Sequence, residues 1–365
     1  MNLLGTLSLL VFCGFAAAIS SCNTENTAST GLKPKGPRPE WGTSIHDAML
    51  VLIEKLQSLP AQPIESLTPQ QARQQPTLTD AVMAVVKENN IQMPAPMVDT
   101  MGRDIPVPGG SIHARIYTPK NTTGSLPVIV YYQGGGWVIA DLDVYDASAS
   151  AIAEKTGAVV VSVQYRKGPE FKFPTAHNDA FAAYKWVLQN AASFRADPAR
   201  IAVLGESAGG NLACNVSIMA RDNGVTMPLC QVLVYPVANN DLNAESVKKY
   251  ANAKPLNKAM LEWFFSHYLN NMSESSDPRM KLVSANLAGL PNTTIINAEI
   301  DPLRDDGEAL KNALKTAGVT VKHKLYAGVT HEFFGAAIVL PEAKDAQQVA
   351  VNALKSAWKD ALATK

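Results

Sequence analysis

An α/β fold, with a mostly parallel central sheet and helices on both faces, is predicted by three observations. From about residue 98 onward, strand-like and helix-like runs alternate, the pattern of a parallel sheet covered by helices. Runs such as Val159-Val160-Val161 are apolar without interruption, as strands buried on both faces must be. Gly205-Glu206-Ser207-Ala208-Gly209 stands between a strand-like run, Arg200 to Leu204, and a helix-compatible run, Gly210 to Val216. A serine on so sharp a strand-to-helix turn is forced outward at the carboxyl edge of a sheet. Taken alone, the pentapeptide is also the composition of many ordinary turns.

The elements follow in order. Leu3 to Ile19 is apolar and uncharged, and Ser20-Ser21-Cys22 and a polar stretch come after it. This fits a signal-peptide core better than a folded helix. Ile19-Ser20-Ser21-Cys22 resembles a bacterial lipobox, whose cysteine becomes the lipidated first residue of the mature protein. A departure is that Met1-Asn2 carries no Lys or Arg. Residues 1–22 are therefore read as a lipoprotein-type signal, with a secretory signal cut after Ala16-Ala17-Ala18 and an uncleaved anchor as alternatives. The expected location is the bacterial cell envelope, lipid-anchored or periplasmic or secreted. No other run approaches the roughly 20 apolar residues of a membrane span. Residues 23–42, rich in small polar residues with Pro34, Pro37 and Pro39, read as a flexible tether.

Helix periodicity covers 44–60 and 78–89, on either side of a Pro- and Gln-rich stretch. Asp104 to Tyr117 reads as two strands around Gly109-Gly110. Strands are expected at Val128–Gln133, Ala158–Gln164, Ile201–Leu204, Cys230–Tyr235, Thr294–Ala298 and Lys322–Tyr326. Helices are expected at Ser148–Thr156, Pro174–Ala191, Asn211–Arg221, Lys258–Tyr268 and Glu308–Ala317.

With 365 residues, 47% of them hydrophobic, the chain can bury a sizeable core. Thirty-two Lys and Arg balance 32 Asp and Glu, so bulk charge points to neither nucleic acid nor an anionic membrane surface. Apart from Cys13 and Cys22, only Cys214 and Cys230 are present, without the spacing of a zinc site. They read as buried core thiols, with a disulfide between them as the alternative.

A serine hydroxyl needs a base within reach and a group to orient that base. Of the six histidines, His46 and His267 fall on helical patterns, His113 and His323 on strands, and His177 near a helix start. His331 follows the last strand, at the sheet edge where catalytic groups collect in open α/β folds. Asp301 follows another strand and Pro302 fixes the turn after it. Glu299, on the same strand face, is the runner-up carboxylate. Asp305 and Asp306 suit the start of the next helix. Gln133-Gly134-Gly135-Gly136-Trp137 closes the strand Val128–Gln133; its glycines let backbone amides approach a developing oxyanion, and a plain flexible turn is the alternative. The chain order Ser, Asp, His is that of the α/β-hydrolases.

These segments, with Tyr165-Arg166-Lys167-Gly168-Pro169-Glu170 and Asp301 to Gly307, together resemble the hormone-sensitive-lipase-like family of α/β-hydrolases from about residue 98 to 340. The resemblance implies an α/β-hydrolase domain over 96–365 and a helical cap segment over 43–95, and Met49 in that segment and Trp41 just before it are expected to close over Ser207. It implies hydrolysis of carboxylic esters, usually of short acyl chains, on a small-molecule ester substrate, with no metal and no cofactor. It makes Ser207 the nucleophile, His331 the base, Asp301 its partner, and the amides of Gly135, Gly136 and Ala208 the oxyanion donors. Two departures are Gln133, where the family has His, and Glu206, where Asp is commoner; a Gln amide can donate and accept in place of the imidazole. An Arg166–Glu170 ion pair is expected to brace its loop, and Trp137 and Phe333 flank the catalytic loops. A non-catalytic binder on the same fold, and an amidase, deacetylase or acyl transferase with the same residues, are the other readings. The sequence assigns no oligomeric state.

Overall fold

In the computed structural model, Met1 and residues 31–363 are described; the signal segment and Cys22 lie outside the described residues. Among these, strands β1 (Val98–Val107), β2 (Gly110–Pro119), β3 (Leu126–Tyr132), β4 (Val159–Gln164), β5 (Ala196–Glu206), β6 (Cys230–Val234), β7 (Asn292–Ile300) and β8 (Val321–Thr330) form one sheet. Its order is β1-β2-β4-β3-β5-β6-β7-β8. β1 and β2 pair antiparallel, as do β2 and β4, and every other pairing is parallel. Helices α1 (Asp47–Ser58), α2 (Pro69–Ala72) and α3 (Leu78–Glu88) precede the sheet. After β3 come α4 (Asp146–Thr156), α5 (Thr175–Asn190), α6 (Ala208–Asp222), α7 (Glu245–Lys249), α8 (Lys258–Tyr268), α9 (Arg304–Thr316) and α10 (Pro341–Ala363).

Strand alternation divides the interior into two cores. On β3, Val128, Val130 and Tyr132 face the side of the sheet carrying Ala180 and Tyr184 of α5, Leu212 of α6 and Leu310 of α9. Ile129 and Tyr131 face Ile152 of α4, Leu354 of α10 and Met49 of α1, as a period-2 strand requires. β3 lies between β4 and β5, so the connections leave its two sides in opposite directions. The carboxyl ends of β3 and β5 thus flank the topological switch point, where open α/β sheets bind ligands.

Several expectations are revised. Residues 35–38, read as tether, are held against α1: the amides of Lys35 and Gly36 donate to Glu54 at 2.9 and 2.7 Å, and Arg38 Nε donates to the Ile45 carbonyl at 2.8 Å. The cap is built from two parts of the chain. Besides α1 to α3, it includes α8, inserted between β6 and β7, and Trp263 Nε1 donates across the two parts to the Leu67 carbonyl at 3.1 Å. Helix α10 is absent from the sequence expectation. Cys214 and Cys230 are free and buried, and burial pushes both thiols up to about 12. No helix among the described residues is long and apolar enough to cross a membrane.

The Arg166–Glu170 pair does not form. Arg166 instead grips Asp179 of α5, with Nε and Nη2 donating at 2.8 and 2.6 Å, because that carboxylate is fully buried and a buried charge requires a partner. Glu170 pairs with Arg73, beside α2 in the cap, at 2.7 Å. Asp179→Ala should therefore lower stability by about 3 kcal/mol, the low end for breaking a buried pair because Arg166 partly reaches water. Urea denaturation midpoints of the two proteins would measure it.

Candidate active site

The turn from β5 into α6 is set by close backbone approaches. A Cβ on Gly205 would sit 2.0 Å from the Gly209 carbonyl oxygen, and one on Gly209 would sit 1.9 Å from that of Tyr132 in β3. Only glycine lets α6 begin this tightly against its own strand and its neighbour. Ser207 is consequently held at φ 57° and ψ −120°, a region costly for a residue with a side chain. Its amide donates to the Val234 carbonyl of β6 at 2.9 Å, which pins the strained residue in place.

Two other strand ends complete the arrangement. The Asp301 carboxylate, past the end of β7, accepts the Leu303 amide at 2.8 Å on one oxygen and faces His331 Nδ1 at 2.7 Å with the other. His331, past the end of β8, presents Nε2 to Ser207 Oγ at 3.0 Å. All three are buried, Asp301 completely. With the Nδ1 proton donated to Asp301, Nε2 is the acceptor for the serine hydroxyl. Burial disfavours the imidazolium, but the charge and hydrogen bond of Asp301, with Glu332 and Glu206 beyond, outweigh it and leave the His331 pKa above the ordinary histidine range. The runner-up Glu299 is occupied elsewhere, accepting from Ser44 Oγ and the Gly328 amide at 2.8 Å each.

The loop after β3 lies directly on this serine. A Cβ on Gly134 would come within 3.1 Å of Ser207 Cβ. The loop's carbonyls are drawn outward. Tyr165 Oη donates to those of Gln133 and Gly134 at 3.0 Å; the amides of Val138 and Ile139 donate to that of Gly135 at 3.0 and 2.9 Å. Arg73 Nε takes the Val138 carbonyl at 2.8 Å. Gly135 and Gly136 have φ of 94° and 58°, and their amides, like that of Ala208 at the start of α6, donate to no backbone carbonyl among the described residues. Such free donors beside a serine hydroxyl that faces an imidazole could receive a developing oxyanion. Gln133 does not replace the family's histidine by hydrogen bonding, since neither end of its buried amide has a protein partner among the described residues; Tyr165 shapes the loop instead.

A cavity of about 540 Å³ opens onto Ser207, His331, Gly135 and Gly136. The cap supplies Leu56, Leu59, Ile64 and Leu78 to its wall, and α8 supplies Phe264 and Phe265. Trp41 and Met49 do not line it; Met49 is buried in the body and receives the Thr330 hydroxyl at 3.7 Å on its sulfur. Trp137 lines the cavity and stacks on Tyr268 at 5.0 Å, whereas Phe333 packs between Tyr235 and Tyr326. The remaining histidines lie apart from the serine. His177 is buried between Tyr268 Oη at 2.9 Å and Asn211 Oδ1 at 3.0 Å, and burial depresses it to about 4, so it is neutral.

Asp305 and Asp306 do open α9, and Asp306 also takes the amides of Ala238 and Asn239 at 2.8 and 2.9 Å. Tyr235, Glu332 and the α8 aromatics escaped the sequence reading. Tyr235 ends the β6 run and Glu332 follows His331, so position relative to a strand end was the available signal. Among the described residues no group of three His, Cys, Asp or Glu is arranged to hold a metal ion.

Residues 129–335 match the family described as alpha/beta hydrolase fold. Carboxylesterase NlhH of Mycobacterium tuberculosis is 39% identical over 258 residues, 70% of this chain and 79% of that protein. The ethyl acetate hydrolase of Pseudomonas putida is 33% identical over 252 residues, 68% and 79% of the two chains. Among solved structures, the hyperthermophilic esterase of Pyrobaculum calidifontis superposes with a TM-score of 0.74 at 36% identity, covering 84% of this chain and 97% of that one.

Proposed function

The chain belongs to the hormone-sensitive-lipase-like family of α/β-hydrolases and is a serine hydrolase of carboxylic esters, and we propose that Ser207, His331 and Asp301 carry that reaction. The observation that carries this assignment is the unbroken chain from Ser207 Oγ through both imidazole nitrogens to a buried carboxylate. In the reaction, His331 Nε2 takes the serine proton as Oγ attacks the ester carbonyl. The amides of Gly135, Gly136 and Ala208 receive the oxyanion, one such donor being worth about 3–4 kcal/mol of barrier. His331 passes the proton to the departing alcohol, and water repeats the sequence on the acyl-enzyme. Asp301 holds the imidazole in the required tautomer and faces the imidazolium as it forms.

The acyl group in this reading is short. Its support is a relative named for ethyl acetate, and the cavity that would take it is walled by α8 and the N-terminal helices. The wild-type protein should turn over p-nitrophenyl butyrate faster than the palmitate ester, and Ser207→Ala should abolish both activities and labelling by a fluorophosphonate. Residual turnover in that variant would remove Ser207 from the chemistry; an unlabelled but folded wild type would favour the binder reading.

Because His331 must be neutral to act as base and its pKa is raised, the acid limb of kcat/KM should lie above pH 6.5, with activity lost as pH falls through it. Asp301→Asn should cut kcat by about 10³- to 10⁴-fold. Initial rates across pH 5 to 9 (a range chosen to span the limb of an ordinary imidazole) test the first expectation, and a limb below 6.5 contradicts it.

We also propose that residues 1–22 direct the protein to the bacterial envelope, with Cys22 the lipidated first residue. The support is the uncharged apolar run Leu3 to Ile19 ending in Ile19-Ser20-Ser21-Cys22. The mass of the mature protein should correspond to a diacylated N-terminal Cys22, and an intact Met1 would end this reading.

A further inference from the structure

Glu206 stands outside the hydrogen-bonded chain from Ser207 to Asp301, yet it is buried directly beside it. Only 1% of the residue is exposed. Its carboxyl accepts the hydroxyl of Tyr131, on β3, and that of Tyr235, just past β6, each at 2.5 Å. One side chain at the end of β5 thus ties together the two strands on either side of it.

Tyr235 carries the contact onward. Its ring lies against the imidazole of His331 with centroids 4.5 Å apart and planes inclined at 49°, and its amide donates to Ile296 of β7 at 2.6 Å. Three carboxyls surround the imidazole: Asp301 at Nδ1, Glu332 next in the chain, and Glu206 behind Tyr235. Tyr145 reaches Glu332 at 3.2 Å. Tyr131, Tyr235, Ser148 and Glu332 act on Glu206, and Tyr145 and His331 are also coupled to it electrostatically.

We propose that Glu206 and Tyr235 are positioning residues for His331. The Glu206 carboxylate fixes the Tyr235 ring against one face of the imidazole and supplies, behind that ring, a second buried negative charge to the imidazolium that forms as Ser207 loses its proton. The proton itself travels from Ser207 Oγ to His331 Nε2 and on to the leaving alcohol; Glu206 neither gives nor takes one. The inference rests on Ser207, His331 and Asp301 being the reacting groups. Burial pushes the Glu206 carboxyl up, and the two phenol donors oppose that without cancelling it; the pair of hydrogen bonds is what favours the ionised form.

The test compares full-length wild type, Glu206→Gln, Tyr235→Phe and the double variant on p-nitrophenyl butyrate across pH. Fluorophosphonate labelling of wild-type Ser207 is checked first, so that failure of the reacting-group assignment shows there and not in the comparison. Glu206→Gln should lower kcat by about tenfold, the effect of about 1.4 kcal/mol of barrier, with KM changed less than about twofold. Losing a negative charge near the imidazolium lowers the His331 pKa, so the acid limb of kcat/KM should move to lower pH in Glu206→Gln, and in the same direction in Tyr235→Phe. The double variant should lose little more than the larger single loss, as linked residues do. An acid limb left where the wild type has it, whatever happens to kcat, overturns the proposal, and so do losses that multiply in the double variant. If Glu206→Gln does not fold, the limb of Tyr235→Phe alone decides.

Discussion

Between Gly205 and Gly210 the chain turns from β5 into α6 with no space for a side chain on its inner side, and the geometry of the site follows from that constraint. The Gly209 carbonyl and the Tyr132 carbonyl both lie about 2 Å from where a methyl group would be, so the helix starts in contact with the strand beside it. The same contact brings the loop after β3 onto Ser207, because Gly134 and Ser207 are neighbours across the switch point. A strained serine and the free amides next to it are two outcomes of one close approach. The conformational cost at Ser207 is sustained by a parallel sheet whose central strands are buried on both faces.

The sheet then acts as a ruler. Ser207, Asp301 and His331 leave three different strands, and parallel pairing in register brings those strand ends to one edge. That part of the molecule was legible in the sequence because uninterrupted Val and Ile runs and Pro or Gly turns are local signals. Long-range pairing of charges was not legible. Arg166 has Glu170 four residues away and chooses Asp179 on a helix, because burial, not proximity in the chain, decides which carboxylate most needs a cation. The choice between Asp301 and Glu299 likewise depended on where Ser44 and Gly328 lie in space.

Helix α10 escaped for a different reason. Its inner face is formed largely by Ala343, Ala346 and Ala350, with Leu354 and Trp358 further on, and alanines give a weak hydrophobic period even at helical spacing. The second half of the cap escaped because α8 lies some 180 residues beyond the first half. That α8 is a helix could be read, but that it covers Ser207 could not, since a contact such as Trp263 to Leu67 has no local signature. Gln133 shows the converse limit. A substitution that looked conservative by its hydrogen-bonding capacity is bypassed, and a phenol from the segment after β4 takes over the loop's carbonyls.

Arg73 belongs to the cap, yet three of its partners are on the body: the carbonyls of Val138 and Gly168 and the carboxylate of Glu170. The Val138 carbonyl sits two residues from Gly136. One guanidinium thus ties α2 both to the strand-end loop beside Ser207 and to the loop after β4, so the seating of the cap and the shape of the loop over the serine are set together.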